Sequence, residues 1–598
     1  MTTLTIPGTA AERASALLAR MTLDQKLGQM IQAERASTTP DDVRAHHLGS
    51  VLSGGGSVPG ANHPADWVAM HDAYWMASMS ETEGRLPIPL LYAIDAIHGN
   101  TNVLGATVFP HNIGLGAAND PDLVERLARV CAEEVLATGL DWTFAPTLAV
   151  VRDIRWGRTY ESFSEDPVLV ASYAGRYVRG LQGTLDENGI IACAKHFVGD
   201  GGTTRGIDQG DTAIDEAELT RTHIAPYLPA LQAGVLTVMA SFNSWNREKC
   251  HGSRYLLTDV LKGRLGFEGF VVSDWDGVDQ LADDLAEALA TSVNAGVDMI
   301  MVSLDWRRML ATLQTVVADG RVPMARIDDA VRRILAVKYA CGLFERPRPA
   351  SRPWSNSPTF GGAAHRAVAR EAVRKSLVLL NREPGVLPVA PGARVLVAGK
   401  NADDRGHQCG GFTVEWQGTH GNDRILGGTS IWEGIRERSP GATLSVDGSA
   451  ADAKAHDVAI VVIGETPYAE GMGDIRTGGA VKRGSGTQFM TNLAPYGESL
   501  VLAERHPEDL ATIQRITAQG IPVIVVLVSG RPLVVNAELA ESRAFVAAWL
   551  PGSEGAGVAD VLFGDAPFTG TLPFSWPKEP VGAYGAAAPL FPRGFGLG

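Results

Sequence analysis

Charged and aromatic side chains follow several short apolar runs in the first half of the sequence. Each cluster begins where its run ends, and the clusters contain Asp95 and His98, the segment 152–158, Lys195 and His196, and the segment 273–276. If the runs are parallel strands, these side chains meet at one end of a barrel or one edge of a sheet. Because so many charges on one face are costly unless they bind something, the pattern predicts a ligand site.

Carboxylates, cationic groups and indoles in one site suit an uncharged ligand with many hydroxyls, which is a sugar. Carboxylate, Arg and Lys side chains bind neighbouring hydroxyls in pairs, and an indole face can stack on the C–H face of a pyranose. The same carboxylates could do chemistry. A retaining glycosidase needs two carboxyl groups about 5–5.5 Å apart, one an ionised nucleophile and the other a proton donor.

Each residue taken alone has a more ordinary interpretation. An aspartate after a strand, such as Asp274, is most often a turn former or a helix cap. Lys195 alone is more often a surface charge. Arg158 alone would be half of a structural ion pair with Glu161 or Asp153. The glycines at 54–56 indicate a turn. Only the joint occurrence at successive strand ends favours a site.

The elements that must position these residues alternate between strands and helices. Apolar runs of strand length lie at 87–94, 143–150, 190–194, 236–240, 269–272 and 298–302, and helical patterns lie at 120–138, 215–233 and 281–295. This alternation predicts βαβ units and a parallel sheet. At least six such repeats over roughly 300 residues favour a (β/α)₈-type barrel, which we assign to residues 1–345.

A Pro-rich stretch at 346–362 predicts a linker, and a second α/β region follows over 363–598. It opens with a long helical pattern at 363–380. Its strand candidates are the apolar runs 395–398, 458–463, 523–528 and 544–549. Continuous apolar runs are typical of parallel strands covered on both faces, so a doubly wound α/β sandwich is predicted.

Composition excludes several classes of protein. The 598 residues carry 52 Lys and Arg against 67 Asp and Glu, a formal charge of −15, which disfavours nucleic acid and anionic membranes as partners. The five cysteines show no zinc or disulfide pattern. No cofactor motif is present, so no cofactor and no metal are expected. The N-terminus lacks a signal-like segment, which predicts a cytoplasmic protein, or a secreted or periplasmic one if the chain is a trimmed mature form.

At this point the sequence resembles the β-glucosidases and exo-β-glucanases of glycoside hydrolase family 3. The matching segments include FPHNIGLGA (109–117), AKHFVGDGG (194–202), GFVVSDWDGVDQL (269–281) and AAWLPGSEG (547–555). They run in order through both predicted domains. The resemblance implies a barrel followed by an α/β sandwich, and a retaining enzyme that releases terminal β-D-glucose from β-glucosides or β-glucan oligosaccharides. It implies a carbohydrate partner, and we expect a monomer or homodimer.

Carried over residue by residue, the resemblance assigns roles. Asp274 matches the nucleophile and Glu470 the acid/base, with nearby Glu465 as the second choice. Arg158 and Lys195 are expected to help keep Asp274 ionised, while Glu470, with fewer cationic neighbours, holds its proton. The residues implied to hold the terminal sugar are Asp95, Arg158, Lys195 and His196, and those implied to clamp the next sugar are Trp275 and Trp416.

The sequence departs from the family pattern at several positions. The loop 199–212 has no histidine, which disfavours the N-acetylglucosaminidase-like branch. Phe242 stands where many members have Tyr, and Gln209 and Gln280 are charged in some relatives, so the linkage preference stays open. The long loop 471–496 is expected to shape the aglycone site or a subunit contact.

Three alternatives remain. The chain could be a β-xylosidase or have another β-glycosidase specificity, because one hydroxymethyl group changes binding by only about 1–3 kcal/mol. It could be a sugar-binding protein without chemistry. A metal-dependent hydrolase built on Asp95, His98, His196 and Asp200 is disfavoured, because the sequence has no H-x-H or H-E-x-x-H spacing.

Overall fold

Eight parallel strands form the N-terminal barrel in the computed structural model, which describes residues 6–185, 188–476, 496–580 and 588–598. The strands are β1 Ile31–Glu34, β2 Ser50–Ser53, β3 Leu91–Ile94, β4 Trp142–Thr143, β5 Cys193–Phe197, β6 Thr237–Ala240, β7 Phe270–Val272 and β8 Ile300–Val302. The strands pair in two groups, in the order β8-β1-β2-β3-β4 and in the order β7-β6-β5. Single parallel bridges, Trp142 to Ile191 and Val272 to Met299, close the ring.

Four of the six predicted strands are present in shortened form, at 91–94, 237–240, 270–272 and 300–302. The strand predicted at 143–150 is only the two-residue β4, and the one predicted at 190–194 lies three residues later as β5. No strand was predicted before residue 87, so β1 and β2 were missed. Both strands are fully buried although they contain polar residues. The Gln32 amide donates to Ser50 Oγ at 2.8 Å, and that hydroxyl donates to the carbonyl of Leu91. Because these polar groups pair with each other inside the barrel, no apolar run marks the strands.

Helices surround the barrel, and local residues such as caps and prolines decide where they begin and end. The helices are Gly8–Leu18, Leu23–Gln29, Pro40–His46, Pro64–Ser78, Asn112–Ala118, Pro121–Ala137, Pro167–Gln182, Glu216–Glu218, Leu219–Ile224, Tyr227–Gln232, Tyr255–Arg264, Leu285–Ala295, Trp306–Ala318 and Met324–Ala340. The helix predicted at 215–233 is divided near Pro226, which has no N–H to donate. The one predicted at 281–295 begins later, where the Asp284 carboxylate accepts from the Glu287 N–H.

The second domain is a six-stranded sheet with helices on its faces. Its strands are β9 Val378–Arg382, β10 Val395–Ala398, β11 Thr443–Leu444, β12 Val458–Gly464, β13 Val523–Val528 and β14 Ala544–Trp549, in the order β9-β14-β13-β12-β10-β11. All neighbours are parallel except β9, which runs antiparallel to β14. The helices are Ala363–Ser376, Arg405–Cys409, Ile431–Arg438, Leu502–Arg505, Pro507–Thr517, Asn536–Glu541 and Ala556–Leu562. The helix predicted to reach residue 380 therefore ends at 376, and β9 follows.

The Pro-rich segment 346–362 lies against the barrel. Arg346 and Arg352 both reach the buried carboxylate of Asp141, at 3.3 and 2.7 Å, and Arg348 pairs with Asp72. All five cysteines are buried free thiols. Within the described ranges, no helix combines the length and the apolar character that a bilayer crossing needs.

Candidate active site

A cavity of about 400 Å³ lies at the carboxyl ends of the barrel strands, where loops of the second domain cover it. The barrel contributes most of its wall, and the second domain contributes Phe412, Trp416 and Glu470. All eight residues proposed from the sequence line this one space: Asp95, Arg158, Lys195, His196, Asp274, Trp275, Trp416 and Glu470. The arrangement is the one expected for ligands of barrel proteins.

Asp274 follows β7 and is held by the backbone around it. Its Oδ1 accepts from the Trp275 N–H at 2.7 Å, and its own N–H donates to His251 Nε2 at 2.9 Å. In the described part of the chain, the buried Oδ2 atom has no hydrogen-bond partner. His196 Nε2 lies 3.7 Å from it. One carboxylate oxygen is therefore fixed, and the other is left to react.

Burial raises the pKa of Asp274 to about 7, and the charge of Glu470 acts in the same direction. Arg158 and Lys195 lower the pKa, in the direction expected from the sequence. The expected contribution of these two cations to the ionised form is therefore present, but it is smaller than the opposing effect of burial. The two catalytic candidates influence each other electrostatically, because the negative charge of one disfavours that of the other.

Two cationic side chains of the wall, Lys195 and Arg158, are each paired with a carboxylate. Lys195 donates to Asp95 Oδ1 at 2.8 Å, and the Arg158 guanidinium makes two bonds to Glu161, at 2.7 and 3.0 Å. Burial lowers the pKa of Lys195, but Asp95 and Glu161 outweigh it and raise the pKa above its usual value. Lys195 is thus a charged donor. The ordinary interpretation of Arg158 as an ion-pair partner of Glu161 also holds.

His196 links this wall to Asp200. Its Nδ1 lies 2.8 Å from Asp200 Oδ2, and its Nε2 lies 3.1 Å from Arg158 Nη2. Burial, with the charges of Arg158 and Lys195, holds the pKa of His196 well below its usual value, so the ring is neutral. Since the guanidinium can only donate, Nε2 accepts and Nδ1 donates to Asp200. This chain fixes the orientation of the imidazole.

Glu470 comes from a loop of the second domain and is positioned by its neighbours. The Trp416 indole N–H donates to Glu470 Oε1 at 3.2 Å. The side chain of Gln417 holds the preceding residue, because its Oε1 accepts from the Ala469 N–H at 2.9 Å and its Nε2 donates to the Ala469 carbonyl at 3.3 Å. The amide therefore grips both polar groups of the residue next to the carboxylate.

Contacts across the domain boundary hold the Glu470 loop on the barrel. Asp474 accepts from the Gly157 and Asp208 N–H groups, both at 2.9 Å. Tyr160 donates to the Tyr468 carbonyl at 2.7 Å. A Cβ on Gly157 would come within 1.9 Å of the Glu470 carbonyl oxygen, so only glycine permits this approach.

Glu465 does not line the cavity. It is 2% exposed, and its Oε2 accepts from the Tyr468 hydroxyl at 2.8 Å and the Gly530 N–H at 2.9 Å. The fully buried Arg531 lies 3.4 Å from its Oε1. The same guanidinium donates to barrel carbonyls, including that of Ile154 at 3.2 Å. This places the second-choice acid/base in a structural cluster under the loop.

Sequence reasoning missed several residues of the site. Gly54 and Gly55, interpreted as a turn, make room for the tryptophans: a Cβ on Gly54 would come within 3.0 Å of the Trp275 ring, and one on Gly55 within 2.7 Å of the Trp416 backbone. No signal in the sequence marked them, because the strand before them, β2, was itself missed. The other missed lining residues include Glu34, Arg35, Phe144, Met239, Met301 and Phe412.

Three further expectations have different outcomes. Gln280 donates to Gln209 at 2.9 Å beside the site, so these two neutral residues satisfy each other. The four residues of the metal-hydrolase alternative do not converge in the described structure, since His98 stacks on His111 at 3.6 Å. Most of the loop 471–496, at 477–495, lies outside the described residues, and its role stays a prediction.

A carboxylate-lined cavity between a (β/α)₈ barrel and an α/β sandwich is the architecture of a glycoside hydrolase. The family models agree: residues 22–337 match the glycosyl hydrolase family 3 N terminal domain, and residues 377–598 match the C-terminal domain of that family. The chain therefore belongs to glycoside hydrolase family 3 and is an enzyme that hydrolyses glycosidic bonds.

Relatives agree along almost the whole chain. The crystal structure of an exo-1,3/1,4-beta-glucanase from a Pseudoalteromonas species is 46% identical with a TM-score of 0.92, and the match covers 100% of this chain and 75% of that one. A lysosomal beta glucosidase of Dictyostelium discoideum is 31% identical, over 97% of this chain and 75% of its own. A periplasmic beta-glucosidase of Salmonella typhimurium is 31% identical, over 94% and 74%.

Proposed function

We propose that the protein is a retaining β-glucosidase or exo-β-glucanase that removes terminal β-D-glucose from β-glucosides and short β-glucans. The observation that carries the proposal is the pair of carboxylates, Asp274 from the barrel and Glu470 from the second domain, in the wall of one cavity. A non-catalytic binding protein would not need the reactive Asp274 oxygen. The names of the relatives support glucose as the released sugar.

In the first step, the unpaired Oδ2 of Asp274 attacks the anomeric carbon of the terminal sugar. Glu470 gives its proton to the departing glycosidic oxygen, and a covalent glycosyl-enzyme forms with inverted configuration at that carbon. In the second step, Glu470 takes a proton from water, which attacks the same carbon and releases Asp274. Two inversions give net retention.

The paired charges of the barrel wall suit the hydroxyls of this sugar. Lys195 offers an ammonium donor and Asp95 an acceptor 2.8 Å away, which matches two adjacent hydroxyls. Arg158 and neutral His196 line the same cavity and offer further polar groups. Trp275 and Trp416, for which the glycines at 54 and 55 leave room, are suited to hold the next sugar between their faces.

A 2-fluoro sugar tests the nucleophile. A 2-deoxy-2-fluoro-β-glucosyl fluoride slows both steps but still loses its good leaving group, so the glycosyl-enzyme accumulates. We expect one added sugar per chain, located by peptide mass spectrometry on Asp274. Asp276, two residues further on, is the internal control. A label on another residue, or none with a substrate that is turned over, would overturn the assignment.

Two aryl substrates test the specificity. We expect 4-nitrophenyl β-glucoside to be cleaved with a higher kcat/KM than the β-xyloside, because the relatives named above are glucosidases and a glucanase. The reverse order would favour the β-xylosidase alternative while leaving the mechanism unchanged.

A further inference from the structure

A cluster of possible metal ligands lies in the second domain, apart from the cavity. Asp404, His407 and His420 each offer one ligand atom, and the three atoms lie within 4.8 Å of one another. His407 Nε2 is 2.9 Å from His420 Nδ1 and 3.4 Å from Asp404 Oδ2. His407 is buried, and His420 is exposed.

The distances fit a small ion with nitrogen and oxygen ligands. Zinc bonds to His and Asp at about 2.0–2.2 Å with tetrahedral geometry, which places ligand atoms roughly 3.3 Å apart. The Asp404 to His407 separation already matches this spacing. The histidine pair needs to open by a few tenths of an ångström, and the exposed ring of His420 can make that movement. Water from the open side would complete the coordination.

The surrounding backbone holds the carboxylate in the right orientation. Asp404 Oδ1 accepts from the N–H groups of His407 and Gly421, both at 2.8 Å, and this leaves Oδ2 on the side of the histidines. Arg405, the adjacent cation, is turned away to bind Glu433. The acidic ligand therefore keeps its charge available.

Close packing brings the histidines together from separate segments. A Cβ on Gly406 would come within 2.3 Å of the Thr419 carbonyl oxygen, so glycine lets the helix Arg405–Cys409 approach the segment at 419–421. The N–H of Gly406 donates to the Gly421 carbonyl at 3.0 Å. Asp404 and His407 come from the helix side of this contact, and His420 comes from the other.

We propose that Asp404, His407 and His420 bind a divalent transition-metal ion with the ligand preference of zinc. No metal was expected from the sequence. The spacing D-x₂-H, followed by twelve residues and the second histidine, matches no common metal-binding pattern. The bound ion ties together the two ends of the segment 404–420, which carries Trp416 and Gln417. The site is independent of the proposed reaction, since none of its ligands lines the cavity.

Metal binding is measured on the full chain, free of any affinity tag and treated with EDTA. Zn²⁺ titration by calorimetry gives stoichiometry and Kd, and metal analysis after gel filtration gives retention. Co²⁺ is a second probe, because its visible absorption reports nitrogen ligands and coordination geometry. The variants are His420→Ala and Asp404→Asn, with His63→Ala as a matched loss of an exposed histidine in the barrel domain.

We expect one equivalent of zinc in the wild type and in His63→Ala, and at least 100-fold weaker binding in His420→Ala. Asp404→Asn should weaken binding less. The Co²⁺ absorption should be lost in His420→Ala, reduced in Asp404→Asn and unchanged in His63→Ala. Equal zinc binding by wild type and His420→Ala, or no saturable binding by the wild type, would overturn the proposal. Neither result depends on glycosidase activity, so failure here leaves the proposed function untouched.

Discussion

The two walls of the cavity are built in different ways. On the barrel side, charged groups lie in the strands or in the loops after them and are paired with each other, as in Lys195 of β5 with Asp95 and Arg158 with Glu161. On the other side, Glu470 lies on a loop and is held by the Gln417 amide and by contacts to the barrel. The nucleophile candidate is thus positioned by its own domain, and the proton donor is positioned by the junction between domains.

This difference indicates which substitutions should affect nucleophilic attack and which should affect proton delivery. A strand end leaves a carboxylate little freedom, which suits attack at a fixed carbon. A loop with several separate contacts can place an acid close to a leaving group of variable size. Changes in the barrel wall should therefore abolish chemistry, while changes behind the loop should mainly alter proton delivery.

The largest effect is expected from Asp274→Asn. Without a nucleophilic oxygen, kcat should fall on the order of 10⁴-fold or more with every substrate. The variant should stay folded, with an equal or higher thermal midpoint near pH 7. Burial raises the pKa of Asp274, so folding binds protons and ionised Asp274 costs stability as the pH rises toward about 7. Kinetics and thermal unfolding measure the two effects. Unaltered turnover would refute the role.

The second-largest effect is expected from Glu470→Ala, and its size should depend on the leaving group of the substrate. Glu470→Ala should lower kcat/KM by about 10²–10⁴-fold for a disaccharide, because its glycosidic oxygen leaves only with a proton. Dinitrophenyl β-glucoside should lose far less, since its leaving group needs no acid. Azide should restore turnover by replacing water in the second step. Equal losses for both substrates would exclude Glu470 as the acid.

Glu465→Gln is the matched control for that experiment. The substitution leaves the buried Arg531 without a carboxylate partner, which should lower the free energy of unfolding by about 3–5 kcal/mol. Chemical denaturation measures this loss. The protein that remains folded should show the same relative loss of kcat/KM on the disaccharide and on dinitrophenyl β-glucoside. A selective loss on the disaccharide would instead return the acid/base role to Glu465.

A smaller effect is expected from Gln417→Ala, which removes the two bonds to Ala469. Displacement of the neighbouring carboxylate should reduce kcat/KM for the disaccharide on the order of 10-fold. The signature is the same dependence on leaving group as in Glu470→Ala, with KM for the activated substrate unchanged. A uniform loss on both substrates would show a purely structural role.

The smallest effect is a shift in the pH profile. Protonation of Asp274 stops attack, so kcat/KM should fall as the pH drops below about 7. Because the charge of Glu470 raises this pKa, Glu470→Gln should move the acid limb to lower pH. The dinitrophenyl substrate keeps the variant measurable. A limb that stays in place, or moves upward, would show that the two carboxylates are not coupled.

The sequence predicts those parts of the molecule whose signal is local. The apolar strands of the second domain were found at or within one residue of their limits, because burial on both faces requires apolar residues throughout. β1 and β2 escaped, because Gln32 and Ser50 satisfy each other inside the barrel. β9 escaped, because the helical pattern before it runs on without a break.

The same division holds in the cavity. Charged residues such as Lys195 and Asp274 can be recognised in the sequence, because each follows an apolar run. The residues that orient them do not: His251 and Gln417 act through backbone groups that only the folded chain brings near. Position in the sequence thus predicts which side chains face the ligand, but it does not predict what holds them in place.

The close approach of Gly157 to the Glu470 carbonyl joins a residue of the barrel to a residue that is synthesised much later. During synthesis, the barrel leaves the ribosome well before residue 470, and at that stage its charged wall has no opposing carboxylate. In the mechanism proposed above, hydrolysis therefore requires the second domain to be docked against that glycine. The time at which activity first appears during synthesis therefore reports when the second domain docks on the barrel.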